Sequence, residues 1–478
     1  MTFRYVCLAF SFSLVAAAHA AGDSPAAPAS LSASSAEAAQ AMRESTRQSY
    51  LGDQSAAPKA AGQDRTATDS PLVPFAWNEQ AIRVTDGTAF GAAIAASGNI
   101  VFIGAPSTSS YQGVAYVYQR SSLCSIAGVC AWEQKQRLVA GDAAPYSQFG
   151  GAVAFDGTTA FVGAGAATVD GQLNRGAVYV FSRGDTRTFG QVQKLVAPDG
   201  QPEDCFGRSV AVAGDDALVG APFCSGTNYV LNGHGAVYRY RRGTDGVWTI
   251  AQKIVASDGG FAESFGGAVA ITADTAMIGA SSAFQFGYYG VGAVYVYKKQ
   301  CFPDGRCNPA WREEQKLIGS PTSTGMEFGG ALAFDGTTLL VGAQWALTGD
   351  EGLPLQLTSG AVYAFTQTDG RWVQTQQLLA SDSYRNWRFG ASIALNGTTA
   401  IVGATGVGWP TASKGAAYAF SLSNGSWSEI QKLEASDGTA NDGFGARIAI
   451  AGAGAVLIGS PQGLNNSGQG TVYIYKQP

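Results

Sequence analysis

Six aspartates stand at matching places along the 478-residue chain: Asp86, Asp142, Asp199, Asp258, Asp382 and Asp437, each a few residues ahead of a Phe-Gly dipeptide. A recurring carboxylate is the first feature to test for chemistry, because positioned acids carry proton transfer and clustered ones bind cations. The partners such chemistry needs are missing. The sequence has two histidines, His19 and His234, and neither recurs beside the carboxylates. No Ser/His/Asp set can be assembled, and no Gly-x-x-x-x-Gly-Lys phosphate loop occurs. Glu313 and Glu314 read as a solvated pair on an outer strand. The expected role of the repeated Asp is to cap a turn through its own backbone. The sequence predicts no catalytic residue, no metal and no cofactor.

The cysteines point to redox chemistry of the structural kind. Of seven, Cys7 lies in an apolar N-terminal run, and the other six form three close pairs: Cys124 with Cys130, Cys205 with Cys224, and Cys301 with Cys307. Six cysteines allow fifteen pairings, and these three are expected because each pair shares one loop or one loop cluster. The spacings match no zinc pattern. Arg183-Gly184-Asp185 falls in a hairpin connection and reads as a turn, with an integrin-recognised triplet as the alternative. The triplets beginning at Asn396, Asn424 and Asn465 match the glycosylation acceptor.

Composition narrows the function further. Glycine makes up 63 of 478 residues, about twice the usual share, and charged residues only 14%. That excludes a coiled coil, a charged disordered chain and a basic nucleic-acid binder, and the net charge of −5 implies no charged partner. Arg4, the apolar run from Tyr5 to Ala18 and the sequence Ala18-His19-Ala20 read as a secretory signal cleaved near Ala20. The run is too short to span a membrane, and no later stretch is long enough. Residues 21–71 read as a flexible Ala/Ser/Pro-rich leader. Export to the periplasm or the extracellular space is expected, and it suits paired cysteines.

The elements that must position these residues come from an internal repeat. Phe-Gly occurs at Phe90, Phe149, Phe206, Phe265, Phe328, Phe389 and Phe444, at spacings of 55 to 63 residues. Each is followed by a Gly-Ala or Gly-Ser, then by a glycine opening an aromatic strand, as in Gly292-Ala-Val-Tyr-Val-Tyr297. A fourth segment runs from an aromatic to Gln-Lys-Leu, as in Trp427-Ser-Glu-Ile-Gln-Lys-Leu433. Four short strands per unit are implied, with small residues in the first and paired aromatics in the third. That taper suits sheets radiating from an axis, so the expected fold is an all-β, seven-bladed β-propeller over residues 72–478. The seventh unit lacks its fourth segment, and a spare copy, Trp77 to Val84, precedes the first Phe-Gly. Chain start and chain end are expected to share the last blade and close the ring.

These motifs resemble the FG-GAP repeat of integrin α-subunit propellers and of many exported microbial proteins, with Gly-Ala-Pro intact at Gly104 and Gly220. The resemblance implies a binding platform for proteins or glycans. Its calcium loop, Asp-x-Asp-x-Asp-Gly, is absent: the turns here are Ser97-Gly98-Asn99, Asp156-Gly157, Asp335-Gly336 and the like. The second-to-third and fourth-to-first connections are long and aromatic, and emerge at one end. They supply a candidate ligand rim: Tyr111, Tyr229, Phe286, Tyr288, Tyr289, Trp345, Trp387 and Trp409, with Tyr146, Phe284 and Tyr384 nearby. Aromatics in polar loops either brace those loops or bind something. The function expected is a non-enzymatic protein-interaction or adhesion module, with a glycan-binding lectin as the alternative and a channel-mouth hydrolase or lyase as a remote one.

Overall fold

The computed structural model describes residues 77–124, 130–184, 188–224, 235–259, 263–301, 307–348, 357–382, 386–406, 413–462 and 468–476. All belong to the unit Val73–Pro478; the expected signal and leader lie outside the described residues. The unit contains seven four-stranded antiparallel sheets and one small two-stranded ribbon. The first strands, numbering the blades one to seven, are Ala93–Ser97, Ala152–Phe155, Ser209–Ala213, Phe265–Ile271, Ala331–Phe334, Phe389–Asn396 and Arg447–Ala451. Each is in contact with the next, and the seventh with the first, so they form the innermost ring of a propeller.

Strand chemistry follows radial position. The second strands, such as Thr159–Ala164, are buried along all or nearly all of their length, as strands flanked and covered on both faces must be. The third strands bury their aromatic halves. The fourth, such as Trp248–Ile254, bury only their ends and face solvent between. In every blade the phenylalanine of Phe-Gly is fully buried and meets the first tyrosine of the third strand edge-on, at centroid distances of 5.3 to 5.5 Å.

The glycine content has one dominant cause. A Cβ on Gly163, at the end of a second strand, would overlap the carbonyl oxygen of Gly207 in the next blade. The same conflict recurs at Gly104, Gly220, Gly279, Gly342, Gly403 and Gly459. Adjacent blades touch backbone to backbone here, and only glycine permits it. Further out, the Gln of the Gln-Lys-Leu segment clasps the next blade. Gln193 donates to the Trp248 carbonyl at 2.7 Å and accepts from its amide at 2.9 Å. Gln136, Gln252, Gln315 and Gln376 do the same to Phe189, Trp311, Trp372 and Trp427.

The ring closes as the spare segment implied. Asn78–Ile82 pairs antiparallel with Thr471–Lys476 as the fourth strand of blade seven, with Ala81 opposite Tyr473. Phe90 bridges to Gly470 as Phe149 does to Gly113. Two expected disulfides are formed, Cys124–Cys130 and Cys205–Cys224. Cys301 is directly opposite Cys307 on paired strands, the register that Cys124 and Cys130 share, though the Cys307 side chain is outside the described residues.

Candidate functional site

The repeated aspartates are engaged by side chains, which goes beyond the backbone capping expected of them. Asp142 accepts the Tyr179 hydroxyl at 2.7 Å and the Lys194 ammonium at 2.5 Å, both from its own blade. Asp199 with Tyr238 and Lys253, Asp258 with Tyr295 and Lys316, and Asp382 with Tyr418 and Lys432 repeat this latch. Asp86 uses Tyr116 and Arg137; Asp437 uses Tyr473 and Arg83, which ties the chain start to the last loop. Burial pushes the Asp142 carboxyl up, but Lys194 and Tyr179 together outweigh it and leave it below the usual range. Burial and the Asp142 hydrogen bond drive the Tyr179 phenol well above its ordinary value, so it stays protonated and donating. Blade five confirms the unit by losing both ends at once. Pro321 stands in the Asp position and Gln377 in the Lys position, and Tyr363 donates to the Pro321 carbonyl instead at 3.0 Å. The Asp column is visible in the repeats, but the Tyr and Lys that engage it come from strands tens of residues further on. These carboxylates are structural latches that pin each incoming loop to its blade.

The 1–2 turns also use up their acids. Asp156 Oδ1 accepts the amides of Thr158 and Thr159, and Asp335 does the same for Thr337 and Thr338. Among the described residues no group of three or more His, Cys, Asp or Glu is placed to hold a metal.

The candidate rim separates into two kinds of residue. Trp345 is half-buried under Arg388, whose guanidinium carbon lies 4.4 Å from its ring centre. Trp387 donates its indole N–H to the Tyr418 hydroxyl at 2.6 Å and carries Lys432 on its face. Tyr111 is half-buried and stacked on Tyr146 at 6.1 Å. Each of these three rings packs on a residue of another connection or strand, although Tyr146 itself is 48% exposed. Tyr229, Tyr384 and Trp409 lie outside the described residues, as do His234 and Asp185.

Phe284, Phe286, Tyr288 and Tyr289 behave differently. All four belong to the second-to-third connection of blade four and are 43%, 52%, 57% and 74% exposed. The connection folds into a two-residue hairpin in which Gln285 and Tyr288 exchange both backbone hydrogen bonds, at 2.8 and 3.0 Å. Phe286 and Gly287 at its tip both have positive φ, 52° and 87°, the signature of a type I′ turn. A phenylalanine there is strained, since Asn, Asp or Gly fill that position readily. Phe284 and Tyr289 pack on each other at 4.9 Å. The base is anchored by Val291, fully buried, and by the Phe328 amide donating to its carbonyl at 3.1 Å. The result is an aromatic finger on the loop face, closed by paired backbone hydrogen bonds.

Fold and site together define a propeller that presents loops from one face of a closed ring. The model of the FG-GAP repeat family matches residues 132–181, 189–240, 248–297, 311–365, 372–420 and 427–475. The chain belongs to that family. Each match runs from the fourth strand of one blade through the third strand of the next, so the family unit is offset from the blade. Comparison with curated proteins returns no match.

Proposed function

We propose that this chain is an exported, non-catalytic binding module that takes a protein partner through the aromatic finger of blade four. The observation that carries this reading is the finger itself: four large rings, each partly exposed, gathered on one hydrogen-bonded turn with positive φ at its tip. Exposed aromatics on a rigid support are the residues that dominate protein interfaces, because little entropy is lost when they insert into a partner. Protein suits the geometry better than sugar. Phe284 and Tyr289 tilt against each other by 60° on a projecting turn, a less flat surface than a sugar ring stacks on. Paired cysteines and the N-terminal apolar run support export.

The test uses a graft from blade two, whose connection has the same length. The variant Phe284→Thr/Phe286→Asp/Tyr288→Gln/Tyr289→Leu gives the finger the residues of Thr168, Asp170, Gln172 and Leu173. A photo-cross-linking phenylalanine analogue placed at Tyr288 in the producing cell is expected to capture one defined protein. The graft, expressed at the same level, is expected to stop that protein co-purifying. Recovery undiminished by the graft overturns the reading, and so does saturable binding on a glycan array that the graft abolishes.

A further inference from the structure

The third and fourth strands of blade one, Val114–Cys124 and Cys130–Leu138, outrun their counterparts Ala177–Arg183 and Phe189–Leu195 in blade two. The extra length makes an arm at the end of the ring away from the finger. The Cys124–Cys130 disulfide joins residues that stand directly opposite each other on that arm. Its two halves have unlike surroundings: Cys124 is exposed and Cys130 is buried. In the Cys205–Cys224 bridge, Cys205 is buried and Cys224 half-buried, so neither half stands open.

A cation attends the buried half. Arg120, half-buried on the third strand, donates from Nη2 to the Cys130 Sγ at 2.9 Å. Among the described residues its side chain makes no ion pair and no other hydrogen bond. A disulfide sulfur is a weak, neutral acceptor, so the guanidinium gains little there. A thiolate in the same place would accept the same N–H with charge assistance. The cation therefore favours opening of the bond with Cys130 as the leaving sulfur.

Cys130, Arg120 and Trp132 also border a cavity of about 30 Å³ shared with Glu79 and Lys476 of blade seven. Glu79 is already engaged, accepting from the Ser436 and Tyr475 hydroxyls. The cavity has room for a water or two and for a sulfur that shifts on release. It has none for an incoming thiol compound, so attack at Cys130 is blocked where attack at Cys124 is open.

We propose that the Cys124–Cys130 disulfide is a thiol-exchange site, opened by an external thiolate at Cys124 with Cys130 as the leaving group. The incoming sulfur bonds to Cys124 Sγ and the Cys124–Cys130 bond breaks, its electron pair staying on Cys130 beside Arg120. The arm is left with a mixed disulfide at Cys124. A second external thiolate attacking the first external sulfur frees Cys124 as a thiolate and leaves the two external sulfurs joined. Blade four pairs Cys301 with Cys307 in the same register, but the Cys307 side chain lies outside the described residues, and the proposal is confined to blade one. It does not depend on the aromatic finger.

The probe is reduced glutathione, applied to the folded mature protein at neutral pH. Samples are quenched with excess alkylating maleimide, and each bridge is followed by peptide mass spectrometry. The expected early product carries glutathione on Cys124 and maleimide on Cys130, while Cys205–Cys224 is still closed. Arg120→Gln is expected to slow opening about threefold or more, the effect of a leaving thiol roughly one unit less acidic. Arg120→Lys is expected to restore most of the rate. An Arg120 that merely braced the arm would act in the opposite direction, since its loss would loosen the arm and speed opening. Parental behaviour of Cys205–Cys224 in both variants reports that the ring has folded. Adducts chiefly on Cys130, opening no faster than that of Cys205–Cys224, or a rate that Arg120→Gln leaves unchanged or raises would each overturn the proposal.

Discussion

The second-to-third connections of blades two and four have one backbone and two surfaces. From Ala164 to Gly176 and from Ala280 to Gly292 the lengths are equal, and seven backbone hydrogen bonds correspond one to one. Val169 and Gln172 exchange the same pair of bonds as Gln285 and Tyr288, and Asp170-Gly171 turns with φ of 51° and 76° where Phe286-Gly287 turns with 52° and 87°. The side chains differ throughout. In blade two, Asp170 at the tip reaches back 2.7 Å to Arg175, a buried guanidinium that also donates to the Ala197 carbonyl at 3.0 Å. In blade four, the buried apolar Val291 fills the place of Arg175, so the strut of blade two has no counterpart at that position. Aromatic residues occupy the tip and its flanks instead. The contrast separates what the fold demands of this loop from what has been added to it.

The largest effect should be one the two blades share. Gly176 and Gly292 close the loops with φ of 84°, and a Cβ on either would overlap the backbone of the next blade's Phe206 or Phe328. Gly176→Ala and Gly292→Ala are each expected to cost about 3–5 kcal/mol, from left-handed strain plus overpacking. Urea denaturation of both variants tests this. A difference between them of more than about 1 kcal/mol would mean that the common backbone has different causes in the two blades.

A smaller effect should distinguish them. Val291→Arg places a buried cation in blade four without its strut and should cost about 3 kcal/mol. Adding Phe286→Asp to Val291→Arg recreates the blade-two pair and should recover about 1 kcal/mol. A double-mutant cycle with zero coupling would show that the tip does not reach the base.

The latches below the loops should respond alike. Asp142 and Asp258 have folded-state pKa values below the ordinary 3.8. Their contribution is therefore present above the unfolded pKa and is lost as pH falls through the folded one. Lys194→Met and Lys316→Met are each expected to lower stability at pH 7 by no more than about 1 kcal/mol, because the carboxylates are half-exposed. The gap from the parent should close as pH falls below the ordinary carboxylate value of 3.8, read as melting temperature against pH. A gap that widens toward acid would reverse the assigned sign.

The sequence carried the ring because its cause is local and repeated. Backbone contact between blades demands glycine at fixed places, so Gly104, Gly163 and their five counterparts announce the fold directly. The latch was half legible: the Asp column was plain, but its partners come from the third and fourth strands, tens of residues away, and no local pattern links them. The rim was least legible. Trp345, Trp387 and Tyr288 are all large aromatics in long loops, and composition cannot tell a ring under a guanidinium from a ring in solvent. Only the contacts each ring makes with residues far away in the sequence separate them.

The smallest effect is the most discriminating. Phe286 holds a left-handed conformation that an L-residue with a bulky side chain adopts at a cost of about 1 kcal/mol, and that Asn adopts more easily. Phe286→Asn is therefore expected to stabilise the fold by about 0.5–1 kcal/mol in urea denaturation, while weakening capture of the partner at Tyr288. The mirror variant in blade two, Asp170→Phe, should destabilise by at least as much, since it adds the strain and removes the Arg175 strut together. A gain in stability coupled to a loss of binding marks a residue kept for its surface. If Phe286→Asn instead destabilises the protein, the ring is a packing element, the two loops differ only in how they are braced, and the finger loses its claim to be the binding site.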